Sequence, residues 1–319
     1  MHAALWCARV YSAQMAGEYL KIVHCKTAEI LLAKLRPSHR LWRTVSVGGG
    51  GWIFRGQGSS EWDLIPSALR KGTRVGFDND RSITSAGKSD CIEQMNAEFF
   101  AAIGFLETAD SIGLRIAGDS VRIRQLAQNR SVVGSYIGRN EWPTHEVLEL
   151  LALAQHHGVP TRLLDFSDNA LVAAYFAARA AVGILSTSGG SGTEPTFSVY
   201  ALNVDELRSI TGGYEIRIVR VPRGHNVNLH AQHGVFVYDY GAAAADRASM
   251  SLVLGSLWRQ VCRSAPSYGA LPWLVRIDTP RSQAQQLLRL LDLERVNELH
   301  LRPSLEGAAH YLASRGAST

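Results

Sequence analysis

Apolar positions recur at two different periods along this chain of 319 residues, and the change of period divides it. Over residues 14–36 they fall every three or four places (Leu20, Val23, Ile30, Leu31, Leu35), which predicts a helix stopped by Pro37. A glycine run over 48–51 leads into Trp52-Ile53-Phe54-Arg55-Gly56-Gln57-Gly58, a short apolar run between glycines that reads as a buried strand. Residues 64–70 continue extended towards a turn, and the polar stretch 73–90 reads as a loop. Helical spacing returns over 91–156. Met95, Phe99, Ile103 and Leu106 share one apolar face there, and Val147, Leu148, Leu151 and Ala154 share another.

The pattern breaks at Gly158-Val159-Pro160. Residues 161–167 resemble a strand, and the small apolar residues of 170–181 predict a well-buried helix with its N-cap near Asp168-Asn169. Residues 186–195, rich in Ser and Gly, read as a flexible loop. Strand candidates follow at 197–202, 215–221, 234–239 and 273–277. The Ala-rich stretch 241–265 fits more than one state. Residues 281–315 read as two helices flanking Leu299-His300-Leu301-Arg302-Pro303. Helices gather in the first half and short strands in the second, which predicts an α+β fold rather than a doubly wound parallel sheet.

Composition changes this picture little. Hydrophobic residues make up 46% and charged residues 19%, enough apolar material for a core. The net charge of +5 is scattered, with no basic stripe, so the surface tolerates an anionic ligand without demanding one. Cys7, Cys25, Cys91 and Cys262 lie far apart with no CxxC pair, which fits reduced thiols better than a zinc ribbon or a disulfide scaffold. The first twenty residues lack the features of a signal peptide, and no run approaches the ~18 apolar residues of a membrane helix. A cytoplasmic protein with no membrane partner is expected.

Three segments hold the candidate chemistry. In the first, Arg55 on a buried strand is costly unless it meets an anion or a hydrogen-bond network. Asp165 could be that anion, or a ligand's phosphate or carboxylate could be. Gly56 lets a ligand or another backbone come close. The second is Gln155-His156-His157-Gly158-Val159-Pro160-Thr161-Arg162-Leu163-Leu164-Asp165-Phe166-Ser167, where polar groups crowd a Gly/Pro break. Adjacent histidines point apart and no third ligand stands at metal spacing, so no metal is expected. In the third, His230-Ala231-Gln232-His233-Gly234-Val235-Phe236-Val237, the Gln232 amide either faces a pocket or satisfies backbone groups at a turn.

These blocks, in this order, resemble the FRG-domain family, named for a Phe-Arg-Gly tripeptide that stands here as Phe54-Arg55-Gly56. The resemblance runs over roughly residues 14–315, with Phe166-Ser167 where the family more often has Trp-Thr. It implies a helical lead-in over 1–45 and one compact FRG domain over 46–315, with 91–156 a helical insertion after the first strand.

A more distant resemblance links the same blocks to ADP-ribosyltransferases of the Arg-Ser-Glu type. It implies a mixed or antiparallel sheet core and NAD as substrate, with Arg55, Asp165, Ser167 and Gln232 as the catalytic set. Arg55, Gly56, Gln57, His156, His157, Thr161 and Arg162 would hold the nucleotide. The acceptor would be a protein or nucleic acid, and the setting a bacterial toxin or phage-defence effector controlled by an antitoxin or regulatory partner. Gly234 stands where that comparison expects the catalytic Glu, so Asp165 or Glu215 would supply the carboxylate. A non-catalytic sensor of nucleotide or nucleic acid and a nuclease-like enzyme remain as rival readings.

Overall fold

The computed structural model describes residues 19–42, 51–75, 83–84, 91–116, 118–128, 142–184, 194–209, 216–222, 227–239, 249–264 and 272–316. Glu215 and most of the Ser/Gly loop at 186–195 lie outside them.

A seven-stranded mixed sheet organises the chain, with strand order β1-β9-β6-β2-β5-β8-β7. In chain order the strands are β1 (Leu20–His24), β2 (Trp52–Gln57), β5 (Leu164–Ser167), β6 (Thr196–Asn203), β7 (Ile216–Val219), β8 (Gly234–Asp239) and β9 (Leu274–Pro280). The short strands β3 (Arg74–Val75) and β4 (Ile83–Thr84) pair separately. β1 runs parallel to β9 at one edge, and every other neighbouring pair is antiparallel. The α+β expectation holds.

The chain start differs from its expected form. Residues 20–24 are a strand, and the helix α1 covers only Ala28–Leu35. The Thr27 hydroxyl accepts from the Ile30 amide and starts that helix after the strand has ended. Among the described residues the Phe-Arg-Gly strand is therefore the second, not the first, and the short strands β3 and β4 come between it and the helical insertion.

That insertion contains α2 (Cys91–Ser111), α3 (Val121–Gln128) and α4 (His145–His156). Met95, Phe99, Ile103, Leu106, Ile123 and Leu151 form its own apolar cluster, which also takes in Phe236 and Tyr238 of β8. A buried ion pair joins the insertion to the chain entering β5. Arg162 Nε donates to Glu98 Oε2 at 2.6 Å and Nη2 to Oε1 at 3.2 Å, with side-chain exposures of 1% and 0%. Gln94 and Trp142 donate to the same carboxylate at 2.8 and 3.1 Å.

Helix α5 (Ala170–Gly183) lies directly on the sheet beside β2 and β6. Asn169 caps it, its Oδ1 accepting from the Leu171 amide at 2.9 Å. The approach is so close that a Cβ on Gly56 would sit 2.0 Å from the Ala173 carbonyl oxygen and 2.5 Å from the Ala177 nitrogen. Small residues on both surfaces permit it. With α1 and α9 (Ala284–Leu293), α5 buries Phe197, Val199, Val275 and Ile277 on one side of the sheet. A second cluster joins Ile53, Tyr200, Leu202, Val235 and Val237 to Met250 and Leu254 of α8 (Met250–Ser264). Cys25 and Cys262 are free thiols, and burial pushes Cys25 up to about 11. Among the described residues no helix is long and apolar enough to cross a membrane.

Candidate active site at the β2–β5 junction

β2 and β5 share one ladder position, Phe54 opposite Ser167. Beyond it a side chain takes over the pairing, because Arg55 Nη1 donates to the main-chain oxygen of Asp165 at 2.8 Å. The Asp165 carboxylate is not closed onto that guanidinium. Its Oδ2 stands 3.8 Å from Nη1 and its side chain is 63% exposed, against 14% for Arg55. Burial lowers the Arg55 pKa, Asp165 opposes that shift, and Arg70 adds to it. Arg55 Nε is buried and meets no acceptor among the described residues.

A cleft of about 700 Å³ opens here. Arg55, Gly56, His156, His157, Asp165, Ser167 and Gln232 all line it, although they come from the strands β2 and β5, the end of α4 and the turn before β8. The α6 helix (Val204–Ser209) lies elsewhere, while α7 (Val227–Ala231) and the segment after α10 (Glu298–Leu301) complete the wall through Asn228, Leu229, Arg302 and Ser304.

Gln57, Thr161 and Arg162 are not brought to the cleft. The Gln57 amide donates to the carbonyls of Trp62 and Asp63 at 3.3 and 3.1 Å. Arg162 is committed to Glu98. The Thr161 hydroxyl donates to Gln155 Oε1, and Gln155 Nε2 donates to Asp165 Oδ1 at 2.5 Å. Thr161 thus acts on the cleft through Gln155, which orients the exposed carboxylate.

Ser167 and Gln232 form a brace. Ser167 Oγ donates to the Gln232 carbonyl at 2.7 Å and accepts from the Asn169 amide at 3.0 Å. The Gln232 side chain donates to the Leu301 carbonyl at 3.1 Å, which ties α10 to the end of β5. Gln232 lines the cleft, and its amide satisfies a distant backbone group rather than one at its own turn. Gly234 leaves no open space for a longer residue: a Cβ there would lie 2.1 Å from Leu229 Cδ1.

The two histidines differ. His157 stacks on Phe105 with centroids 5.8 Å apart. His156 pairs through Nε2 with Asn228 Nδ2 at 2.7 Å. Loss of hydration, then the charges of His157 and Arg302, hold His156 below its ordinary pKa against the pull of Asp165, so its neutral form dominates at pH 7. Among the described residues no group of three His, Cys, Asp or Glu side chains could hold a metal.

Sequence reasoning missed Asn228 and Arg302 as parts of the wall. Gln155 opens the central motif expected at the pocket, and it lines the cleft. Nothing local connects residue 302 to residue 55.

With this geometry in view, the FRG domain family matches residues 50–182, from β2 through α5. The matched segment supplies Arg55, Gly56, Gln155, His156, Asp165 and Ser167 of the cleft. No curated protein and no solved structure matches the chain.

Proposed function

We propose that this cleft binds NAD and that the protein is an ADP-ribosyltransferase-like enzyme. The observation that carries the reading is the state of Arg55. Among the described residues, a guanidinium with five donors lies in the cleft wall with one close hydrogen bond, a carboxylate at 3.8 Å and a buried Nε lacking an acceptor. A mostly buried cation so sparsely compensated is costly, and an anionic ligand would offset that cost. Guanidinium geometry suits a phosphate.

Asp165 would supply the second requirement. When the bond between the nicotinamide nitrogen and ribose C1′ breaks, its electron pair leaves with nicotinamide and positive charge grows on the sugar. A carboxylate fixed beside that charge stabilises it electrostatically. The acceptor then bonds to C1′ and gives up its proton, for which Asp165 and the neutral His156 are the bases at hand. A toxin or phage-defence setting accords with this chemistry. We also propose that residues 46–315 act as one unit, since the wall draws on both ends of that span.

One observation favours a binding module without turnover. Leu229 fills the space beside Gly234, where the transferase comparison expects a carboxylate. Labelled NAD, purified protein and a bacterial lysate separate the readings. Nicotinamide release by wild type, reduced at least about a hundredfold in a folded Asp165→Asn variant, is expected for catalysis by a charged group. Bound NAD with no release in wild type would leave the binding module.

A further inference from the structure

A second arginine, Arg302, lines the same cleft. Arg302 follows α10, 53% exposed, and its contact is with Glu298, Nη1 to Oε1 at 3.3 Å. That contact holds Arg302 without enclosing it, because Glu298 is itself anchored. Its Oε2 accepts from the Tyr175 hydroxyl at 2.6 Å, and its side chain is 12% exposed. Tyr175 is buried on α5. Burial and the Glu298 bond both raise its pKa, so it stays a phenol and keeps donating. From the other direction Gln232 grips the Leu301 carbonyl, one residue before Arg302. The arginine is therefore mounted on the same α5 and β5 scaffold that mounts Arg55, through contacts 65 to 123 residues apart in sequence.

We propose that Arg302 is a second anion contact and a specificity-determining residue of the cleft. With Arg55 and Arg302 lining one cleft, the site selects a ligand whose negative charge is carried by two linked phosphates. A pyrophosphate-bridged nucleotide is then preferred over a mononucleotide. This rests on the reading of the cleft as a nucleotide site and deepens it. It also places a selecting residue outside the 50–182 segment, so that chains sharing the FRG domain can differ in ligand through the segment after α10.

Calorimetric titration of the full chain with ADP-ribose and with AMP tests the inference. Wild type should bind ADP-ribose at least about tenfold more tightly, the scale of one added charge-assisted hydrogen bond. Arg302→Gln and Arg302→Ala should each erase that preference. ADP-ribose binding should weaken about tenfold or more while AMP binding changes less than about threefold, and Arg302→Lys should restore part of the loss. The fall in ADP-ribose affinity with salt should also become shallower, which loss of a merely structural contact would not produce. An unchanged preference, or equal weakening for both ligands, overturns the role of Arg302. If Arg55→Ala still weakens both ligands in that case, the nucleotide site itself survives. Failure of wild type to bind either ligand overturns both.

Discussion

Arg55 holds its charge inside a wall where the nearest carboxylate stands open to water. Arg55→Ala should therefore cost about 1–3 kcal/mol, the scale of a lost hydrogen bond from a charged donor. That is less than the about 3–5 kcal/mol expected when a fully buried ion pair is broken, because Asp165 remains solvated. Chemical denaturation of wild type and variant checks this, and a loss above about 5 kcal/mol would reassign Arg55 to the framework. The contrast with Arg162 explains what could be read at this scale. Both arginines lie in motif segments, Arg162 fully buried and Arg55 mostly so. One meets Glu98, 64 residues away, and the other faces a cleft. Local sequence carries the residue type but not the partner, so Arg162 looked like a ligand contact. Gln232 shows the same limit, since its acceptor at Leu301 lies 69 residues on.

At the scale of elements, the cleft depends on two contacts that set where β2 and β5 stand. The first is the seat of α5 on β2. Gly56→Ala would drive a methyl group into the helix backbone at Ala173 and Ala177, which cannot move as a side-chain tip can. An overpacking loss of about 1–3 kcal/mol or more is expected from the melting transition. The second is the Glu98–Arg162 pair. Glu98→Ala strands a buried guanidinium, and about 3–5 kcal/mol should be lost, with Glu98→Gln milder because it keeps an acceptor. Elements with strong local signals were legible. The Ala-rich α5, its Asn169 cap and β8 at Gly234–Asp239 stand where the pattern places them. β1 was not, because Leu20 and Val23 satisfy a helical spacing as well as a strand. What decides for the strand is pairing with β9, some 250 residues away.

Across the whole molecule, the cleft is assembled from parts that the chain order separates. The FRG segment contributes Arg55, His156 and Asp165, and residues beyond it contribute Asn228, Gln232 and Arg302. The convergence of Arg55, Asp165 and the turn after α4 was readable from motif order. The closing wall was not, since the antiparallel run of β5, β8 and β7 and the long-range Gln232–Leu301 and Tyr175–Glu298 contacts bring it round. We propose that this assembly is an NAD site centred on Arg55. Thermal unfolding of wild type and Arg55→Ala with increasing NAD tests it most directly. Wild type should show a saturable stabilisation, about 2.7 kcal/mol at a hundredfold excess over the dissociation constant, that is lost in the variant. No shift of wild type at millimolar NAD, or an equal shift in both proteins, would contradict it.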